Sequence, residues 1–143
     1  MSANATIWTD LHDLAQKAAR KFNLPESIII EPMPTRRRGD GDSTRQPGVT
    51  PLIRIRVHRV GRPRQALKTT TILATFAHEL AHLKYWDHGK EQYHLTHEIA
   101  NFFREEGHEV ANKLHAPMWG ESKTLAPGLK KSCDYCCKRL TKE

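Results

Sequence analysis

Apolar residues recur along this chain with two different periods, and the changes of period mark out its elements. Leu11, Leu14, Ala15, Ala18 and Phe22 share one face at helical spacing, which predicts a helix from about Thr9 to Phe22, ended by Asn23-Leu24-Pro25. The isoleucine-rich stretch Ser27–Glu31 reads as a short buried strand. From Leu52 to His58 the chain alternates: Ile53, Ile55 and Val57 face one way, and Arg54, Arg56 and His58 the other. That is the pattern of a strand with one buried face. Apolar positions 72, 73, 76, 77, 80 and 83 then predict a mostly buried helix, led in by Thr69-Thr70-Thr71 as candidate N-caps and stopping near Trp86. Over 90–106, Leu95, Ile99, Phe102 and Phe103 predict another helix, with His94, His97, Glu98 and Asn101 as a polar stripe beside them. The bland account of that stripe, for His97 above all, is a solvated face. His108–His115 forms a short amphipathic piece carrying Val110, Ala111 and Leu114, and Pro117 stops it.

Two stretches lack any period. Residues 34–51 combine turn formers with charge, so a long mobile loop between strands is expected; residues 116–132 read as irregular. The fold class is therefore α+β: a small antiparallel sheet packed on the N-terminal helix and the 69–86 helix, with further helices after it. The expected division is one domain over 1–118 and an irregular basic tail over 119–143.

The middle helix carries His78-Glu79-Leu80-Ala81-His82. Histidines at i and i+4 lie one above the other, with Cβ atoms about 5–6 Å apart, so both imidazoles can reach one metal ion. Glu79 sits beside that ion and can take a proton from its water. A random chain with this many His and Glu residues would contain such a pattern in roughly 4 % of cases. The buried helix that presents the motif makes two ordinary surface histidines the weaker account.

A catalytic zinc wants three protein ligands and one open position. Asp87-His88-Gly89 is turn chemistry that can return an imidazole to the metal, making His88 the first choice for the third ligand. Glu98, on the following helix, is the rival.

The segment from His78 through Asp87-His88-Gly89 to Tyr93 resembles the active-site segment of the compact zinc peptidases grouped as SprT-like, Spartan, WLM and YgjP-like proteins. The resemblance is specific over 75–93 and looser over about 50–110. It implies a compact zincin-like fold, with His78, His82 and His88 holding one catalytic Zn2+ and Glu79 as general base. Tyr93 falls where the family often has an aromatic residue. Tyr93, His94 or an arginine of strand 52–58 are the candidate transition-state donors. In such peptidases a strand ahead of the motif helix borders the cleft, and here that strand would be 52–58, offering its free edge to substrate backbone. The resemblance also implies a protease acting on proteins held on DNA.

Charge is compatible with that substrate class. Lys and Arg total 23 against 16 Asp and Glu, a net charge of +7, and the excess is clustered. Arg36, Arg37, Arg38, Arg54, Arg56, Arg59, Arg62 and Arg64, with Arg45 among them, form the candidate surface for sequence-independent, salt-sensitive DNA binding. A solvated basic face is the plain alternative. The other function classes are a general cytosolic peptidase with no nucleic-acid link and a non-proteolytic, zinc-containing regulatory or DNA-binding protein. An intact Glu79 argues against the last, because a structural zinc has no use for a base.

Mean hydropathy is −0.66, no apolar run approaches a membrane span and the N-terminus lacks a signal-peptide pattern, so a cytoplasmic protein is expected, nuclear if eukaryotic, with a monomer favoured. The cysteines, at 133, 136 and 137, cannot build a disulfide framework, which fits a reducing compartment. Cys133 and Cys136 form a single C-x-x-C knuckle. A structural zinc needs four ligands, so a second ion there would require His108, His115 or another chain; a solvated or redox tail is the simpler expectation.

Overall fold

A computed structural model describes residues 3–33, 41–46, 48–59, 62–86 and 89–111. Within them lie helices α1 (Ala3–Phe22), α2 (Thr69–Ala81) and α3 (Lys90–Glu105), and strands β1 (Ile29–Pro32), β2 (Gly41–Gln46), β3 (Val49–Ile55), β4 (His58–Arg59) and β5 (Arg62–Ala66). The class is α+β, as the periodicity predicts. The Cys133 and Cys136 knuckle, the remainder of the tail, Arg36–Arg38 and the Asp87-His88 pair lie outside the described residues.

Helix α1 begins earlier than its core stripe suggests, because Ile7 is also buried and Trp8 packs against the core. It ends at the expected place. Asn23 adopts φ 58°, and the Leu24 amide donates to the Ala19 carbonyl at 2.9 Å. That is a Schellman-type closure, with Leu24 buried against the helix it terminates. Helix α2 starts from Lys68, which makes no side-chain capping bond, so the threonine run does not cap it. The helix closes at His82 instead of near Trp86. Its last turn tightens, with Leu83 and Lys84 amides bonding to carbonyls three residues back.

The sheet is mixed, not antiparallel: in the order β1-β3-β2, β1 runs parallel to β3 and β2 antiparallel to it. Residues 34–51 are therefore not one loop. They contain β2 and the start of β3, with Gly48 at φ 78° in the connection. Strand β2 escapes a periodicity search because its residues, Gly-Asp-Ser-Thr-Arg-Gln, include no apolar side chain. Strand β3 is consequently central, so the expected free edge at 52–58 is absent. Among the described residues the outer strands of the sheet are β1 and β2. The alternation over Ile53, Ile55 and Val57 holds, but Arg56 is buried. The strand has ended at Ile55, and the pleat no longer dictates which way Arg56 points. A short β4–β5 hairpin follows.

The helices pack on the Ile53 and Ile55 face. Leu11 and Leu14 from α1, Leu73, Phe76 and Leu80 from α2, and Ile99 and Phe103 from α3 are fully enclosed. Phe76 and Phe103 stack with centroids 6.1 Å apart. This contact locks α2 against α3 and fixes the rotation of the helix that carries the two histidines. Residues 108–111 are not helical. Val110 is buried, the Ala111 amide donates to the Thr70 carbonyl, and Arg104 donates to the carbonyls of Val110 and Ala111, which replaces helical bonding there.

Candidate metal centre

His78 and His82 are buried and lie one turn apart on α2. Their rings meet edge to face with centroids 4.7 Å apart, and their Nε2 atoms approach to 3.2 Å. A tetrahedral zinc with N–Zn bonds of about 2.0–2.1 Å places two ligand nitrogens roughly 3.3–3.4 Å apart. The pair is thus pre-spaced for one ion.

The proton position on His82 agrees with that use. His82 Nδ1 lies 3.0 Å from the Tyr85 carbonyl oxygen, which can only accept, so Nδ1 carries the hydrogen and Nε2 presents its lone pair toward His78. The tightened turn that ends α2 supplies this carbonyl. His78 is held from α3: Gln92 Nε2 donates to the His78 carbonyl at 3.0 Å and lies 3.4 Å from His78 Nδ1. Gln92 is itself buried, and Thr96 Oγ1 donates to its carbonyl at 2.8 Å. With its Nε2 committed to the His78 carbonyl, Gln92 offers an N–H to Nδ1, which fits an unprotonated Nδ1 and a hydrogen on His78 Nε2 that points to His82 Nε2. Zinc at His78 Nε2 would move that hydrogen to Nδ1, where the Gln92 amide must turn its oxygen to accept it. Replacing Gln92 with Met, of similar length but without the amide, is expected to weaken zinc binding about 10–100-fold in a chelator competition titration. Affinity equal to wild type would remove Gln92 from the site.

Glu79 is completely enclosed. Its Oε1 accepts a 2.6 Å hydrogen bond from Ser43 Oγ, which also lies 3.0 Å from the Glu79 carbonyl oxygen. Strand β2 can come this close because residue 41 is glycine: a Cβ there would stand 2.9 Å from Thr75 Cγ2 and 3.3 Å from Glu79 Cγ. Gly41 and Ser43, two residues apart, both face α2.

Neither Ser43 nor Gln92 emerges from sequence reasoning. Ser43 lies in what reads as loop. Gln92 did leave a signal, as a polar residue one turn before Thr96 and two turns before Ile99, both buried, on the same helix face.

The structure separates other candidates from this centre. Among the described residues, no group of three or more His, Cys, Asp or Glu could hold a metal ion, so Glu98 does not join His78 and His82. Glu98 stands six residues beyond Gln92, about 600° round the helix, and so points elsewhere. It is exposed and lines a groove of about 560 Å³ with Lys21, Lys84, Tyr85 and His94. His94 is exposed and faces the same groove. Tyr93 is half-buried with its ring 4.5 Å from that of His97. His97 is not a solvated residue: its Nε2 is buried without a hydrogen bond. Burial, reinforced by the charges of Arg104 and His94, pushes its imidazole below the ordinary histidine range.

Among the described side chains, the candidate basic surface is reduced. Arg56 is buried, and the half-buried Arg54 faces Glu31 at 3.9 Å. Asp42 is the cross-strand partner of Arg54 on its other side. Arg59 is exposed. No helix among the described residues is long and apolar enough to cross a membrane. No protein-family model, curated protein or solved structure matches the chain.

Proposed function

We propose that this protein is a zinc-dependent endopeptidase with a compact, zincin-like, SprT-like site. The observation that carries the reading is the 3.2 Å approach of His78 Nε2 and His82 Nε2, with the enclosed Glu79 on the same helix turn. His78 and His82 would hold the ion, with His88 proposed as the third ligand. Bound zinc acidifies water and polarises a carbonyl. Glu79 accepts the proton of the attacking water on a carboxylate oxygen and delivers it to the departing amide nitrogen. His82 is kept in the required tautomer by the Tyr85 carbonyl, and Gln92 steadies His78. Of the two outer strands, β2 is the one that touches Glu79, through Ser43, so an extended substrate is proposed to pair along β2, which reads backbone and gives little sequence preference.

The DNA-linked form of this reading keeps Arg59, Arg62 and Arg64 with the Arg36–Arg38 run as a sequence-independent phosphate contact. Burial of Arg56 and the placement of Arg54 between Glu31 and Asp42 favour a second reading, a peptidase with no nucleic-acid link. The test is cleavage of an unfolded protein substrate by the zinc-loaded chain at low salt, with and without single- and double-stranded DNA. Stimulation that fades as salt rises supports the DNA-linked form. A rate indifferent to DNA supports the second, and no cleavage under any condition overturns both.

A further inference from the structure

We infer that Ser43 is a positioning residue for Glu79, and that the Gly41-Asp42-Ser43 segment of β2 joins the substrate-binding edge to the base. The inference rests on the zinc-peptidase reading and adds to it a residue outside the motif. Glu79 has no exposed surface, so its carboxylate orientation is set by protein contacts alone. Two of them come from one strand. Ser43 Oγ donates to Oε1 at 2.6 Å, a short O–H···O contact. At Gly41 the strand lies so close to Glu79 Cγ and Thr75 Cγ2 that a methyl group would have to displace them. Ser43 itself is buried, so water does not compete for its hydroxyl.

A carboxylate pinned through one oxygen can turn only about that contact, which limits where its proton-accepting lone pairs point. The pinning hydroxyl belongs to the strand that pairs with substrate. Any shift of β2 along or away from β3 therefore moves Ser43 relative to Glu79. Substrate pairing along β2 holds the strand in place, and the base is aligned when the edge is filled. Because the hydroxyl faces α2, while pairing uses backbone at the strand edge, loss of the hydroxyl affects turnover and leaves substrate affinity.

The experiment compares wild type, Ser43→Ala and Ser43→Thr in zinc affinity, kcat and KM on a peptide substrate. Ser43→Ala is expected to lose about 10–100-fold in kcat, with KM and zinc affinity within about twofold of wild type, the scale of a misplaced catalytic group. Ser43→Thr, which keeps the hydroxyl, recovers most of that loss. If Ser43→Ala does not fold, Ser43→Cys takes its place, retaining size with a weaker donor and carrying the same expectation. Unchanged kcat in the alanine or cysteine variant overturns the role of Ser43 while leaving the peptidase reading intact. An equal loss in Ser43→Thr, or a loss that follows zinc affinity, also overturns it. A wild type that neither binds zinc nor cleaves overturns the underlying reading.

Discussion

Glu79→Gln is expected to reduce peptide cleavage by about 10²–10⁴-fold, the usual scale of a positioned general base, while zinc stays bound. The substitution keeps the size of the side chain, and its carbonyl oxygen can still accept from Ser43, so β2 stays seated on α2. Stability should hold or rise. A fully enclosed ionised carboxylate carries a desolvation penalty that a neutral amide does not, so the melting temperature of the variant should equal or exceed that of wild type. Loss of cleavage with unchanged zinc content and an unchanged or higher melting temperature separates a lost proton acceptor from a damaged fold. Cleavage equal to wild type would sink Glu79 as the base.

His82→Ala carries the second large effect. It removes one of the two nitrogens that stand 3.2 Å apart and leaves the Tyr85 carbonyl without the imidazole it orients. Since loss of an outer-shell partner alone costs about 10–100-fold in metal affinity, loss of a direct ligand should cost more than about 100-fold. Isothermal titration with zinc reads this directly. The fold should persist, because alanine suits a helix end and the packing of α2 rests on Leu73, Phe76 and Leu80. His88→Ala and Glu98→Ala, measured alongside, should differ. The first loses affinity and the second does not, since Glu98 lines the groove with Lys84 and His94. Zinc binding by His82→Ala at wild-type strength would contradict the site.

Sequence carries these elements unequally, for reasons visible in particular residues. Helices α1 and α3 are legible because each buries a stripe at helical spacing, Leu11 to Ala18 in one and Leu95 to Phe103 in the other. The i, i+4 histidines are legible for the same reason, since helix geometry alone brings them together. Strand β2 is not legible: it meets α2 through a missing side chain at Gly41 and a hydroxyl at Ser43, and neither leaves a hydrophobic period. The parallel pairing of β1 with β3 is hidden for a related reason, because β2 must first be recognised before the strand order can be seen. Arg56 shows the limit of alternation, which ends with the strand. The partners of His78 and His82 are at most half legible: spacing puts Gln92 on the face of α3 that carries Thr96 and Ile99, but not what it meets there. Gln92 reaches His78 only because Phe103 and Phe76 fix how α3 rotates against α2, and Tyr85 reaches His82 only because the helix tightens at its end.

The central claim is that His78 and His82 are halves of one zinc site. Its most direct test is the metal content of purified full-length protein carrying Cys133→Ser and Cys136→Ser, with and without the further pair His78→Ala and His82→Ala. The account predicts about one zinc ion per chain in the first protein and none in the second. No zinc in the first, or the same zinc content in both, would contradict it.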